Sequence, residues 1–337
     1  MDRRHFLRAT SLACAAVGPA AAAWAQSGSH ATVSALPNLP TGPVKIYVGF
    51  PPGGGTDVLA RILAQKFNAL WNLPVLVENK AGAASVIAAD VVAKAVPDGN
   101  TLLMAHINSH GIAPRLQPRM PYAAERDFTA IGLIGATPQM LICSAEQPVK
   151  SLAGVVEMCR RQPGKVVFGS AGQGSAQHLA LEALKALARI DVLHVPYRGS
   201  APLITDLMGG QIHYAFEGMT TAAQYLKGGK VQAIVQSRPK RSKAFPDVPT
   251  ISESGYAGFD ASIWFGLVGP ARLPPALVRR LNEDLNKVLL MPDVQERLLQ
   301  FGAEDGGGSA ERFAGFMQAE RKRWAQLIKD ARITPES

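Results

Sequence analysis

From Val44 onward, short runs rich in β-branched and other apolar residues alternate with stretches whose apolar residues recur every three to four positions. That alternation is the signature of α/β units built around a mostly parallel sheet. Strands are expected over 45–50, 75–78, 102–105, 131–134 and 140–143, with helices over 57–70 and 85–94. In the first helix Leu59, Ile62, Leu63, Phe67 and Leu70 fall on one face. A second series begins near Ser151: helix to Arg161, strand 166–168, helix 175–188, strand 192–195, helix 201–208 and strand 213–216. Pro246, Pro249 and several glycines mark a long loop before a strand over 263–268. Two helices then close the chain, over 275–290 and 310–331. The last puts Phe313, Phe316, Met317, Trp324, Leu327 and Ile328 on one stripe, which is most simply a core-covering face.

Two α/β series in one chain imply two lobes. The chain is expected to cross between them near Cys143 and to return near Ile263. The lobes are accordingly 44–141 plus 265–337, and 142–264. The cleft between two lobes is where small ligands usually bind.

Ahead of this lie two further segments. Asp2-Arg3-Arg4-His5-Phe6-Leu7-Arg8 and an alanine-rich apolar stretch ending Ala23-Trp24-Ala25 read as a signal peptide over 1–25, of twin-arginine type, cleaved after Ala25. A membrane anchor is disfavoured, because 9–25 is mostly alanine, interrupted by Pro19, and shorter than the roughly 20 apolar residues of a spanning helix. Residues 26–43 form a loose leader. Cleavage leaves 312 of 337 residues and about +7 of the formal charge of +9. A basic surface favours anionic partners, but the lysines and arginines are scattered and the protein is exported, so nucleic acid is not expected as a partner. Cys143 and Cys159 remain in the mature chain, where an oxidising compartment would permit a bridge. Their placement on a strand and a helix that need not face each other favours free thiols.

The strongest local feature is Phe50-Pro51-Pro52-Gly53-Gly54-Gly55-Thr56-Asp57, between a strand and a helix. Its glycines expose backbone N–H groups and the positive end of the helix to an anion, with Thr56 or Asp57 as cap. Such a helix end contributes roughly 0.3–1 kcal/mol to a nearby negative charge. No Gly-Lys-Ser/Thr follows, and Val58 stands where a dinucleotide fingerprint needs glycine, so phosphate cofactors are disfavoured and none is expected. Gly169-Ser170-Ala171-Gly172-Gln173-Gly174-Ser175 repeats the arrangement in the second series, with Ser175 as N-cap. Two such helix ends facing one cleft suit a carboxylate. A serine hydrolase would use the same loop, but there is no Gly-x-Ser-x-Gly elbow and no identifiable acid and histidine partner. His106 and His110 lack a zinc signature, and His194 and His213 fall on separate strands, so no metal is expected.

Taken together with Val77-Glu78-Asn79-Lys80-Ala81-Gly82-Ala83, Pro97-Asp98-Gly99-Asn100-Thr101-Leu102-Leu103, His194-Val195-Pro196-Tyr197-Arg198-Gly199, Phe245-Pro246-Asp247-Val248-Pro249-Thr250 and Gly302-Ala303-Glu304, the two glycine loops carry a resemblance. The chain resembles the periplasmic solute receptors of tripartite tricarboxylate transporters, the Bug family, from Val44 to about Ile333. The resemblance implies a two-lobed periplasmic binding protein fold of type II and a ligand trapped by hinge closure. It also implies delivery to membrane permease subunits, a periplasmic, monomeric protein, and no catalysis. The expected ligand is a small organic acid or acidic amino acid. A ligand sensor for a membrane signalling partner would use the same cleft. The site residues so implied are Phe50, Gly53, Gly54, Gly55, Thr56, Asp57, His106 and Thr137 from the first lobe, and Ser170, Ala171, Gly172, Gly174, Ser175, Tyr197 and Glu217 from the second. Two departures bear on ligand choice. Phe216-Glu217-Gly218 replaces the family's usual Phe-Asp, and the segment from Ala105 to His110 carries two histidines, of which His106 is a candidate titratable donor.

Overall fold

The apolar runs pair into two five-stranded sheets, each with helices against it. The structure, a computed structural model, describes residues 39–117, 119–330 and 333. The expected signal peptide and most of the leader lie outside the described residues.

In chain order the first part contains β1 (Val44–Val48), α1 (Gly55–Trp71), β2 (Val75–Asn79), α2 (Val86–Ala93), β3 (Thr101–His106), α3 (Ala113–Leu116) and β4 (Phe128–Thr137). The second contains β5 (Gln139–Ser144), α4 (Leu152–Arg161), β6 (Val167–Ser170), α5 (Ala176–Ala188), β7 (Leu193–Pro196), α6 (Ser200–Met208), β8 (Tyr214–Gly218), α7 (Met219–Lys227) and β9 (Val231–Gln236). The chain finishes with β10 (Ile263–Pro270), α8 (Pro275–Leu289), α9 (Pro292–Gln300) and α10 (Ala310–Asp330). The sheet orders are β2-β1-β3-β10-β4 and β7-β6-β8-β5-β9.

Both sheets follow one plan: a parallel core, with a single antiparallel strand that arrives from the other sheet. β10 runs antiparallel to β3 and β4, and β5 antiparallel to β8 and β9. The crossing lies at Pro138, five residues before the expected Cys143, so Gln139 to Leu141 belong to the second sheet. Pro138 has no N–H to give a ladder, which ends β4 and frees the chain to change sheets. The return runs through 237–262.

Strands covered on both faces need apolar side chains in both directions, and β10 (IWFGLVGP) is buried throughout. Gly266 in β10 is required by packing: a Cβ there would lie 2.0 Å from Phe313 Cζ of α10. α1 buries Leu59, Leu63, Phe67 and Trp71, with Phe67 and Trp71 stacked at 4.3 Å. Trp71 donates to the fully buried carboxylate of Asp284 at 2.9 Å, and Arg280 and Lys287 neutralise that carboxylate from its own helix.

The sequence reading lacked four of these elements: α3, α7, β9 and α9. α7 and β9 complete the second sheet, and α9 makes three C-terminal helices where two were expected. α7 and α9 span nine residues each, too few turns for a clear apolar period, although Pro292 at the start of α9 is a helix-start signal. Glu304 acts as a strap. Its backbone pairs with Ala136 of β4, while its Oε1 accepts from Ser242 Oγ at 2.8 Å and Lys243 N at 3.0 Å in the return segment. Cys143 and Cys159 are buried free thiols, as expected, and burial pushes both up to about 11.

Candidate functional site

Where β1 ends, the chain turns through Gly53, whose φ of +84° suits glycine, and enters α1 with Gly54 as N-cap. No side chain caps this helix, contrary to the expectation for Thr56 or Asp57. Asp57 turns back instead. It accepts from Gly53 N at 2.9 Å, Arg61 Nε at 2.9 Å and Asn79 Nδ2 at 2.8 Å. Burial alone would raise its pKa, but these donors hold it below the usual carboxylate range. Asp57 therefore braces the glycine turn and leaves the first-turn amides of α1 without an intrahelical partner.

Beside this turn the backbone stays left-handed through Gly82, Ala83, Ala84 and Ser85, with φ of 137°, 44°, 51° and 76°. Three non-glycine residues in that region store strain, and such strain gathers at ligand clamps. Ser85 is fully buried, and its Oγ has no partner among the described residues. At the end of β3, His106 is buried against Phe50 with ring centroids 4.9 Å apart, and its Nδ1 accepts from Asn108 N at 3.1 Å. Burial depresses its pKa to about 3, so His106 is neutral rather than titratable in the ordinary range. Asn108 opens a π-helical turn to Ile112, a geometry frequent at functional sites.

In the facing lobe Ser175 caps α5 as expected, accepting from His178 N at 3.2 Å. Two imidazoles, stacked at 4.2 Å, brace the loop before it. His178 Nδ1 accepts from Gly174 N at 3.1 Å, and His194 Nε2 lies 2.7 Å from Ser170 Oγ. The direction of that bond is set by the imidazole tautomer, and Ser170 Oγ also lies 3.0 Å from Gly172 O. His194 is thus a histidine partner for Ser170 that the sequence did not reveal. Burial depresses its pKa to about 4, and the Ser170 hydroxyl is fully buried and committed to the loop. Ala171 is half-buried, and Gly172 holds a φ of +142°.

Glu217, at the end of β8, is buried, and burial pushes its pKa up to about 7 against donors that oppose the shift. Its Oε1 accepts from Gly218 N at 2.8 Å and from Gln177 Nε2 at 3.4 Å, while Oε2 has no partner among the described residues. Thr220 Oγ1 and Gln139 Oε1 are also buried without partners. Tyr197 and Thr137 are spent elsewhere. The Tyr197 hydroxyl donates to Asp206 at 2.8 Å, and Thr137 Oγ1 reaches Phe301 O at 3.3 Å.

The lobes touch at these groups. Asn108 Oδ1 accepts from Ala176 N at 3.1 Å, and a Cβ on Gly55 would meet Thr220 Cβ at 2.5 Å. Gln139 Nε2 donates to Ala176 O at 3.0 Å and Ala261 O at 2.7 Å. Ser85, Asn108, Gln139 and Thr220 were all missed in the sequence. Asn108 lay inside the segment singled out for its histidines, and Gln139 sat at a crossing placed too late. Among the described residues, no three metal-binding side chains converge.

The model of the tripartite tricarboxylate transporter family receptor matches residues 59–333. The chain belongs to that receptor family. It is 37% identical over 314 residues to a protein encoded in the tcbD-tcbE intergenic region of Pseudomonas sp. strain P51, covering 92% of this chain and 93% of that protein. It is 33% identical to protein BugT of Bordetella pertussis, over 91% and 94% of the two chains. Among solved structures it is similar to Rpa4515 of R. palustris with adipate, at TM-score 0.85 and 31% identity over 88% and 99% of the chains. It is also similar to MatC of Rhodopseudomonas palustris with bound malate, at TM-score 0.79 and 31% identity over 86% and 100%. The receptor is thus a two-lobed solute-binding protein from a family of periplasmic binding proteins, not of enzymes.

Proposed function

We propose that this receptor captures a small organic acid or acidic amino acid between its lobes and delivers it to the permease subunits of a tripartite tricarboxylate-type transporter. The lobes close by rotating about Pro138 and the return segment. The twin-arginine signal exports the chain, cleavage follows Ala25, and the mature receptor works in the periplasm as a monomer. Phe50, Gly53–Thr56, His106, the loop from Ala171 to Ser175, and Glu217 form the ligand site. To these we add Ser85, Asn108, Gln139 and Thr220.

One observation carries the reading. Buried polar atoms are nearly always paired, yet Ser85 Oγ, Gln139 Oε1, Glu217 Oε2 and Thr220 Oγ1 are unpaired among the described residues, with Thr220 packed on Gly55 at the uncapped end of α1 and Ser85 on Gly49 just after β1. The amides of α1 supply donors for a carboxylate. Glu217 supplies a donor in its protonated form, which is populated up to about pH 7, and Gln139 an acceptor, for a second oxygen or nitrogen group at the ligand's far end. Adipate and malate, seen in related structures, each carry two carboxylates.

Thermal-shift and calorimetric screening against organic acids and acidic amino acids tests this, because a ligand that binds the native state raises its stability. At least one such acid should bind with unit stoichiometry, and Thr220→Ala should weaken it by roughly tenfold, as for loss of a buried hydrogen bond. If no carboxylate stabilises the protein, or Thr220→Ala leaves every ligand's affinity unchanged, the proposal fails.

A further inference from the structure

On the first lobe, α10 and the segment around α3 flank an open hollow of about 490 Å³, lined by exposed Arg115, Glu125, Gly315, Gln318 and Lys322 and by buried Arg321. Arg321 is its unusual member. The residue is 8% exposed, and its Nε and Nη1 have no hydrogen-bond partner among the described residues. The nearest carboxylate, on Glu125, lies 3.8 Å from Nε, beyond hydrogen-bond reach, and is itself shared with Arg115 at 3.9 Å. Behind the guanidinium lies His110, which is neutral and buried and cannot balance the charge. Three cations therefore face one carboxylate. A buried guanidinium whose nearest carboxylate is out of hydrogen-bond reach and shared with a second arginine is under-compensated, and an oxyanion in the hollow would add negative charge. Gly315 lies on the exposed face of α10, so no side chain covers the hollow there.

We propose that this hollow is a second anion site, separate from the cleft, that binds an oxyanion of phosphate chemistry. Arg321 is the buried anchor, and Arg115 and Lys322 are the flanking cations. Guanidinium matches such a group because its fork of donors meets two phosphate oxygens at once. The ligand is free phosphate or the phosphate of a lipid headgroup, and the experiment separates them.

Inorganic phosphate is titrated into the mature protein in chloride-free buffer by calorimetry. In parallel, vesicles of phosphatidylglycerol or phosphatidylcholine are tested for co-sedimentation. Phosphate should bind at one equivalent. Arg321→Met should lose roughly tenfold or more of that affinity, as for removal of a charge-assisted bidentate contact, and Lys322→Ala, at an exposed position, should lose less. Arg321→Met should fold at least as stably as the parent in phosphate-free buffer, because it removes a buried charge that has no hydrogen-bonded counter-ion. Thr220→Ala in the cleft should leave phosphate binding unchanged, so this site and the cleft stand or fall separately. Vesicle binding that phosphate displaces and Arg321→Met abolishes identifies the lipid headgroup. Phosphate binding without vesicle binding identifies the free ion. Absence of phosphate binding, or binding that survives Arg321→Met and Lys322→Ala, overturns the proposal.

Discussion

Glu217 keeps its proton up to about pH 7 because its carboxyl is buried between β8 and α5, where burial outweighs the Ser200 hydroxyl, the Gly218 N–H and the Gln177 amide. Its pKa is about 7 when folded, against 4.5 for the free group. The folded protein therefore retains a proton that the unfolded chain releases across that interval. Stability falls as pH rises from about 4.5 to 7 and stays lower above it, by about 3 kcal/mol at most. Glu217→Gln should match the parent at pH 4 and exceed it above pH 8, measured by urea unfolding at both values. Parallel pH profiles would refute the assignment. His106 and His110 slope the other way. Both are neutral when folded, with pKa near 3, so the stability they contribute above pH 6.5 is lost as pH falls below it, and Glu217→Gln should leave that acid limb in place. The sequence marked Glu217 and His106 as departures from a family pattern. It could not show that one titrates near pH 7 and the other stays neutral there, because burial is set by the residues that pack around them.

A turn can be strained only if its neighbours hold it, and the segment from Gly82 to Ser85 is held by the end of β2 on one side and α2 on the other. Ala84, at φ 51° and ψ 44°, sits in the left-handed region at a cost of about 1–2 kcal/mol. Glycine there removes the strain but loosens the unfolded chain, so Ala84→Gly should raise stability by about 0.5–1 kcal/mol, read as a higher urea midpoint. If the strain positions Ser85 Oγ for the ligand, the same change should weaken binding by calorimetry, and stabilisation with unchanged affinity would show that the turn is merely tolerated. The glycine turn before α1 was legible in the sequence because three glycines between a strand and a helix permit few structures. The left-handed turn was not, since Ala83, Ala84 and Ser85 carry no sign of positive φ. β9 was missed although Val231, Ile234 and Val235 are apolar, because its place beside β5 depends on where the chain changes sheets.

At the scale of the molecule, the two sheets share one plan, their buried apolar residues form one connected cluster, and the two lobes also meet where Asn108 reaches Ala176 and Gly55 packs on Thr220. Closure on a ligand, as proposed above, must form and release that second contact. Gly55 is the place to test it. It occupies the first turn of α1 with an ordinary helical backbone, where alanine would be favoured by propensity alone. Its hydrogen faces Thr220, and an added Cβ would lie 2.5 Å from Thr220 Cβ and 2.8 Å from Cγ2. Real Cβ atoms do not approach so closely, so Gly55→Ala must hold the lobes apart by a fraction of an ångström at the point where the uncapped helix end meets the second lobe. The isolated protein should lose little stability, because the lobes can part. Ligand affinity should fall by roughly tenfold, about 1.4 kcal/mol, and the radius of gyration with ligand should stay above that of the parent complex in small-angle scattering. Thr220→Gly in the same chain removes the obstructing atoms and should restore compaction, while affinity recovers less because the Thr220 hydroxyl is gone. If Gly55→Ala binds and compacts like the parent, the contact between Gly55 and Thr220 is incidental, and closure does not bring these two elements together.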